Sequence, residues 1–236
     1  MSSFSLNGIS IDAFYNINNA VSEIVTNRMG KATIAVAINP EKIIMYSKSE
    51  EIKNALDLAD IRFLDGIGAV IAINKKYNVR VNRIPGCELW LELMKVSAKN
   101  NLSVYLLGAS EPVNSKAVKA LKKQGVSVVG ASDGYFDCDV AMINRILKAK
   151  PDVLTVALGS PRQEQFMALC KSMGVTSFMM GVGGTLDVYT GSVKRAPKLW
   201  CRLNLEWLYR LLSQPKRILR QRNLVVFALR LIAKRL

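Results

Sequence analysis

Carboxylate and amide side chains stand beside small residues at four places in the sequence. The four segments are NPE from Asn39, DGIG from Asp65, GSPRQE from Gly159 and GGTLD from Gly183. Small residues let the backbone approach a ligand, and polar side chains beside them suit an anion- or nucleotide-binding crevice. The chain has no histidine, which excludes Ser-His-Asp and Cys-His catalysis and leaves carboxylates as the leading candidates for a general base.

Each of the four segments follows a short apolar run that is typical of a buried strand. The sequence predicts strands over residues 33–38, 61–64, 104–107, 126–129, 153–158 and 178–182. Helical patterns between them cover residues 87–99, 115–123, 140–149 and 162–173. Alternating strands and helices predict an α/β fold with an open, doubly wound, Rossmann-like parallel sheet. Ligands bind such sheets beyond the carboxyl ends of the strands, where the four segments lie.

The positive charge of the chain is concentrated at its C-terminal end. The net charge is +15, and twelve basic residues with a single acid, Glu206, lie from Lys194 onward. The α/β pattern stops near Arg195, and the remainder is helical and basic. We therefore expect a Rossmann-like core over residues 1–195 and a helical basic appendage over residues 196–236.

The end of the appendage has two faces when it is drawn as a helix. One arc of roughly 140° holds the basic residues Lys216, Arg217, Arg220, Arg230, Lys234 and Arg235. The opposite side holds the apolar residues Ile218, Val225, Leu229 and Ile232. This division favours an anionic membrane surface as partner. A solvated basic face stays open as an alternative, and no helix-turn-helix, zinc-finger or RNP pattern indicates a nucleic-acid partner.

Two motifs resemble cofactor or metal sites without completing them. Gly66 and Gly68 follow a strand, but Ile71 occupies the third glycine position of a dinucleotide-binding loop, so no cofactor is predicted. Asp137 and Asp139 form a DxD, which holds a divalent metal in many nucleotide-sugar enzymes and equally caps a helix N-terminus. We favour the helix cap and predict no metal site.

The cysteines and the N-terminal segment predict a cytoplasmic protein. The four cysteines include no CxxC pair, which fits a reducing compartment better than a zinc site or a disulfide framework. The first residues lack the basic and apolar regions of a signal peptide. No apolar run approaches the ~20 residues that span a bilayer.

Seven segments occur together in the order of a known family. They are NPEKI, FLDGIGAV, LLGASEPV, SDGYF, ALGSPRQE, GVGGTLDVYTGSVKRAPKLW and LEWLYRLLSQPKRI. In these motifs the chain resembles the WecG/TagA/CpsF family of bacterial glycosyltransferases, from about residue 5 to the C-terminal region, and most of all its WecG branch, which acts in enterobacterial common antigen synthesis. The resemblance implies a metal-independent, peripheral enzyme on the inner face of the cell membrane.

The resemblance also implies the reaction. An N-acetylmannosaminuronic acid or N-acetylmannosamine residue would pass from UDP to N-acetylglucosamine on undecaprenyl pyrophosphate, and inversion would give a β-1,4 linkage. Such an in-line displacement needs a base on the acceptor hydroxyl and positive charge on the departing UDP. Another UDP-hexose donor, in capsule or exopolysaccharide synthesis, stays open.

Matching positions carry the family's site residues over to this chain. Asp65 would be the base and Arg217 the first choice to bind the diphosphate, with Arg210 and Arg220 beside it. The pocket would be lined by Asn39, Arg83, Gln163 and Asp187. Without the resemblance, the sequence favours a helix N-cap over a base for Asp65. Asn39 is then equally read as a turn residue, Arg83 as a surface charge, and Gln163 and Asp187 as helix or turn caps.

Three points stay open at the level of sequence. Ala37 stands where TagA-like members have a threonine, which leaves a hydroxyl contact to the substrate in question. A catalytically silent basic module that binds membrane or nucleic acid is the alternative from another class. The long apolar face of the appendage must be buried on its own core, on lipid or on another subunit, so a homo-oligomer is also open.

Overall fold

The computed structural model describes residues 2–213, 218–233 and 236, and its centre is an eight-stranded sheet. The strands are β1 Ser2–Leu6, β2 Ile9–Ala13, β3 Thr33–Ile38, β4 Ile61–Leu64, β5 Ser103–Gly108, β6 Ser127–Ser132, β7 Val153–Ala157 and β8 Phe178–Gly181. Their order across the sheet is β1-β2-β4-β3-β8-β7-β5-β6, and only the β1–β2 pair is antiparallel. This confirms the predicted open α/β sheet.

Helices connect the parallel strands and form the C-terminal segment. They are α1 Ile17–Asn27, α2 Pro40–Tyr46, α3 Glu50–Asp57, α4 Ile67–Tyr77, α5 Gly86–Lys99, α6 Glu111–Lys123, α7 Asp139–Ala149, α8 Arg162–Ser172, α9 Thr185–Tyr189, α10 Lys198–Arg202, α11 Glu206–Ser213 and α12 Ile218–Ile232. Helix α6 begins four residues before its predicted start, because Pro112 occupies the first turn, where a missing N–H is tolerated.

The helices cover both faces of the sheet, as a doubly wound fold requires. Alternate residues of β3 point to opposite faces, so Ile34, Val36 and Ile38 join one core and Ala35 joins the other. The first core is closed by α2, α3, α4, α7 and α8, and the second by α1, α5 and α6. With both faces covered, the edge formed by the strand ends remains the place where a polar ligand can approach.

The N-terminal hairpin adds two strands that the sequence analysis did not predict. β1 and β2 are joined at Asn7-Gly8, and both residues have positive φ angles, 52° and 86°. Asn-Gly is the preferred pair for such a tight turn because both residues tolerate this backbone conformation. The hairpin extends the sheet beyond β4, and the segment after β2 reaches the neighbourhood of the candidate site.

Helix α12 returns to the body and packs on α2. Phe227 is 3% exposed and belongs to the first core, and Arg230 donates to Asn7 Oδ1 at 3.4 Å and to Ser47 Oγ at 3.2 Å. Val225, Leu229 and Ile232 are exposed on the outer side. The side of α12 that faces away from the protein is therefore apolar over these residues.

Candidate functional site

The four segments singled out in the sequence follow four neighbouring strands. Asn39, Asp65, Gly159 and Gly183 come after β3, β4, β7 and β8, which lie in the order β4-β3-β8-β7. All these strands are parallel, so their carboxyl ends share one edge. The fold thus brings together residues that are separated by more than a hundred positions in the chain.

Asp65 lies directly beside the loop that carries Asn39. Its N–H donates to Ile38 O at 3.0 Å, and a Cβ atom added to Gly66 would lie only 2.4 Å from Pro40 Cδ. Glycine is therefore required for the two loops to pack. The N-cap of α4 is Gly66, with no side-chain cap bond, so the interpretation of Asp65 as a helix cap is wrong.

The Asp65 carboxylate is held by Arg83. Arg83 Nη2 donates to Asp65 Oδ1 at 3.2 Å, and Arg83 Nε donates to the Asp65 backbone carbonyl. The Asp65 side chain keeps 31% of its surface exposed, whereas that of Arg83 keeps 18%. Arg83 is thus not a surface charge: it fixes both the main chain and the carboxylate of Asp65.

Arg83 also contacts the C-terminal segment. Its Nη2 donates to Glu206 Oε2 at 3.4 Å, and its Nη1 donates to Asn204 Oδ1 at 3.4 Å. Burial lowers the pKa of Arg83, but the carboxylates of Asp65 and Glu206 raise it by more, so the net pKa lies above its ordinary value. Arg83 therefore stays charged and joins the strand edge to α11.

Glu206 has a second arginine partner. Arg195 Nε lies 3.9 Å from Glu206 Oε1, and Arg195 Nη2 pairs with Glu88 at the start of α5. Glu206 is buried, so its charge is compensated by these guanidinium groups rather than by water. Sequence reasoning missed Glu206, Arg195 and Asn204, although a lone acid among twelve basic residues was a usable signal.

Asn39 begins α2 and caps it. Its Oδ1 accepts from Lys42 N at 2.9 Å, in the usual position of an N-cap residue. Asn39 is therefore the N-cap of α2 rather than only a turn residue. The side chain is half-buried at the end of β3, one residue from the Asp65 main-chain contact on Ile38.

Gln163 lies buried across the same edge, at the start of α8. Its Oε1 accepts from Gly183 N at 3.0 Å, and its Nε2 donates to Glu164 Oε1 at 2.9 Å. A Cβ atom at Gly181 would meet Gln163 Nε2 at 2.8 Å, so glycine there makes room for the amide. Because one partner is a donor and the other an acceptor, the positions of the amide oxygen and nitrogen of Gln163 are both determined.

A buried ion pair supports this amide. Lys42 Nζ donates to Glu164 Oε1 at 2.8 Å, and the Glu164 side chain is 1% exposed. Glu164 Oε2 is buried and has no hydrogen-bond partner among the described residues. Sequence analysis did not predict the pairing of these two residues, because a Lys in one helix and a Glu 122 positions later give no local pattern.

Asp187 lies in the short helix α9 after β8. The carboxylate is close to the backbone of Gly184, since a Cβ there would lie 3.8 Å from Asp187 Oδ2. The Asp187 carbonyl accepts from Val193 N at 3.0 Å. No side-chain cap bond forms at the start of α9, so neither this residue nor Gln163, whose helix α8 also lacks one, acts as a helix cap.

The predicted arginines of the appendage are placed only in part. Arg210 belongs to α11 and Arg220 to α12, whereas Arg217 lies outside the described residues. Ala37 is half-buried beside Gly86, where an added Cβ would lie 3.8 Å from Ala37 Cβ and 3.5 Å from Asp65 Oδ2. Ala37 and the Asp65 carboxylate thus both border Gly86.

The DxD motif lies at the start of α7, which follows β6 at the outer end of the same edge. Cys138 is the N-cap and Asp139 the first helical residue, with no side-chain cap bond, so an acidic helix start is confirmed but the cap itself is wrong. Asp139 lies 4.0 Å from Arg162 Nη2. Over residues 2–213, 218–233 and 236, no three His, Cys, Asp or Glu side chains cluster closely enough to hold a metal ion.

None of the helices in the described part of the chain is long and apolar enough to cross a membrane. In comparison with protein families, residues 4–236 match the family described as Glycosyl transferase WecG/TagA/CpsF. The match covers nearly the whole chain, the strand edge and the C-terminal segment included.

Proposed function

Because the chain belongs to the WecG/TagA/CpsF family of glycosyltransferases of cell-surface polysaccharide synthesis, we propose that it is an inverting UDP-sugar transferase. The donor is UDP-N-acetylmannosaminuronic acid or UDP-N-acetylmannosamine, as in the WecG branch. The acceptor is N-acetylglucosamine on undecaprenyl pyrophosphate, and the product linkage is β-1,4. The enzyme works in the cytoplasm, on the inner face of the cell membrane.

One observation carries the proposal: the Asp65 carboxylate is partly exposed at the strand edge and is oriented by Arg83. In the reaction Asp65 takes the proton of the acceptor hydroxyl while that oxygen bonds to the anomeric carbon. The bond from this carbon to the UDP oxygen breaks on the opposite face, which inverts the centre. UDP departs with the electron pair, and the proton remains on Asp65.

The donor binds over β3, β8 and β7 in this proposal. The Asn39 cap occupies the amide oxygen, so its amide nitrogen is the group that contacts the substrate. Gln163 and the backbone of Gly183 supply further polar contacts, with Asp187 beside them. Polar groups held by neighbouring backbone cost little reorganisation when a ligand binds.

The departing diphosphate needs positive charge. In the proposal Arg217, Arg210 and Arg220 of the C-terminal segment supply it, since a guanidinium group pairs with two phosphate oxygens at once. Metal independence is part of the proposal. Turnover with the purified enzyme in excess EDTA tests it, and loss of activity that Mg²⁺ or Mn²⁺ restores would contradict it.

The decisive experiment is a donor screen. Purified enzyme is incubated with a short-chain polyprenyl-diphosphate N-acetylglucosamine and, in turn, the UDP derivatives of N-acetylmannosaminuronic acid, N-acetylmannosamine and glucose. We expect transfer from one of the first two, with a β-1,4 product by NMR. Transfer only from UDP-glucose selects the other-hexose alternative. If none of the three donors gives either sugar transfer or UDP release, the proposal is contradicted.

Membrane contact is supported by the outward apolar side of α12. The triple variant Val225→Ser/Leu229→Ser/Ile232→Ser removes exposed apolar surface only, so we expect weaker sedimentation with anionic liposomes and an unchanged melting temperature. Leu58→Ser, at an exposed apolar residue on the body, is the control. If the wild type, the triple variant and Leu58→Ser bind liposomes equally, the membrane contact lies elsewhere.

A further inference from the structure

A cavity lies beside Arg83, the residue that holds the Asp65 carboxylate. Its volume is about 580 Å³, within the ~300–1,000 Å³ of small-molecule sites. It lies between the segment after β2, the segment before α5, and α10 with the start of α11. Arg83 lines it and donates to Asp65 Oδ1 at 3.2 Å, so a single side chain separates this cavity from the Asp65 carboxylate.

The lining suits a sugar joined to an anionic group. Tyr15 offers an exposed aromatic face, and the side-chain amides of Asn16, Asn18 and Asn82 line the same space. Aromatic faces and amides that donate and accept are the groups that bind sugar rings with N-acetyl and hydroxyl substituents. The Asn82 amide already donates to Tyr15 O at 2.6 Å, which holds the aromatic segment in place.

Positive charge gathers at one end of the cavity. Its lining includes Arg83, Arg195 and Arg202, and the only acids among the residues lining it, Glu88 and Glu206, are paired with arginines. Arg202 is exposed and forms no ion pair within the described part of the chain, so its guanidinium group can take a phosphate.

Two helix N-termini strengthen this anionic preference. Asn16 caps α1, because its Oδ1 accepts from Asn19 N at 2.8 Å, whereas Pro85 precedes α5 without a side-chain cap bond. The first N–H groups of α5 and the dipoles of both helices favour negative charge nearby. The arginines and the helix N-termini therefore both favour an anionic group in the cavity.

We propose that this cavity binds the acceptor, with its amino sugar on Tyr15 and the asparagines and its diphosphate on Arg202. The inference rests on the proposed function, for which it supplies the second substrate site. In-line displacement then requires a hydroxyl of the bound sugar to reach Asp65 on the face of the anomeric carbon opposite the departing UDP. Because α10 and α11 form one wall, the C-terminal segment builds the acceptor site itself.

Tyr15→Ala and Arg202→Gln test the assignment. We expect each to raise the acceptor KM about ten-fold, the loss of one good contact, and to leave calorimetric UDP affinity within about two-fold. Matched controls are Tyr135→Ala and Arg145→Gln, an exposed tyrosine and arginine lining a separate cavity near α6 and α7. The controls should leave acceptor KM unchanged.

Direct binding separates this inference from the proposed function. A short-alkyl N-acetylglucosaminyl diphosphate is titrated into each protein saturated with UDP, so no turnover is needed. Weaker binding by Tyr15→Ala and Arg202→Gln, and not by the controls, supports the acceptor site even if the donor sugar is misassigned. Unchanged binding, or a loss of UDP affinity instead, overturns it.

Discussion

The two sides of Asp65 are built in different ways. On the β3 and β8 side, polar groups are fixed by backbone and by a buried pair: Gln163 bridges Gly183 and Glu164, and Glu164 accepts from Lys42. On the Arg83 side, longer ion pairs of 3.4 and 3.9 Å reach Glu206 in α11. The first side belongs to the folded sheet, whereas the second is complete only when the C-terminal segment is docked.

This contrast matches the demands of the two substrates. A water-soluble nucleotide sugar can be received by a rigid, preformed crevice. An acceptor held by a lipid anchor must be received at the membrane, and a site assembled by a segment with an outward apolar helix suits that requirement. The difference thus separates a preformed half of the site, built within the sheet, from a half that is conditional on contacts with the C-terminal segment.

The largest effect should come from the carboxylate between the two sides. Asp65→Asn keeps an oxygen for Arg83 but removes the base, so kcat should fall roughly 10²- to 10⁴-fold while UDP affinity stays unchanged. Steady-state kinetics and calorimetry measure both. Asp137→Asn, at an exposed carboxylate, is the control. Turnover of Asp65→Asn near that of the wild type would remove Asp65 from the mechanism.

The next effect tests the preformed side. Glu164→Gln leaves Lys42 buried without a counter-charge, so the free energy of unfolding should fall by ~3–5 kcal/mol in urea titration. The donor KM should rise, because the charge-assisted bond that orients the Gln163 amide becomes a weaker neutral one, while the acceptor KM holds. Adding Lys42→Met should recover most of the stability. A single variant as stable as the wild type would show that the pair contributes nothing.

The same substitution on the other side should be milder and affect the other substrate. Glu206→Gln weakens contacts with Arg83 and Arg195 that are already long, so we expect a loss of ~1–3 kcal/mol. The acceptor KM should rise, with faster proteolysis after residue 195. Glu92→Gln, from an exposed pair with Lys95, is the control. A change in donor KM alone would contradict the division of the site.

The smallest effect concerns donor choice. Ala37→Thr places a hydroxyl beside Gly86, which also borders the Asp65 carboxylate, and we expect a shift of about three-fold in kcat/KM toward UDP-N-acetylmannosamine. Competition between the two donors in one reaction measures it. Ala141→Thr, on the exposed side of α7, is the control. An unchanged ratio would mean that the missing hydroxyl has no part in donor selection.

The preformed side was largely predictable from sequence, and the conditional side was not. Asn39, Asp65, Gln163 and Asp187 follow strands with strong apolar patterns, so the rule for parallel sheets placed them at one edge. Arg83 follows no strand, and its partners at Asn204 and Glu206 are more than a hundred residues away. Such pairings depend on how the C-terminal segment docks, which no local pattern records.

Local chemistry also misled in particular places. Asp65 has the residue type of an N-cap, but the close packing of Gly66 on Pro40 moves the helix start one residue later. Asp139 sits inside α7 rather than before it. In both cases the helix starts one residue away from the predicted position. The side chain that could have capped the helix therefore does not do so.

The packing of α12 on the body connects this helix to the loop that carries Asp65. A Cβ at Gly68 would lie 2.9 Å from Pro40 Cγ and 3.3 Å from Phe227 Cε1. The helices α2, α4 and α12 therefore pack against one another at this glycine. Gly68 is three residues from Asp65. A change in the position of α12 is therefore transmitted through Phe227 to the segment that directly follows Asp65.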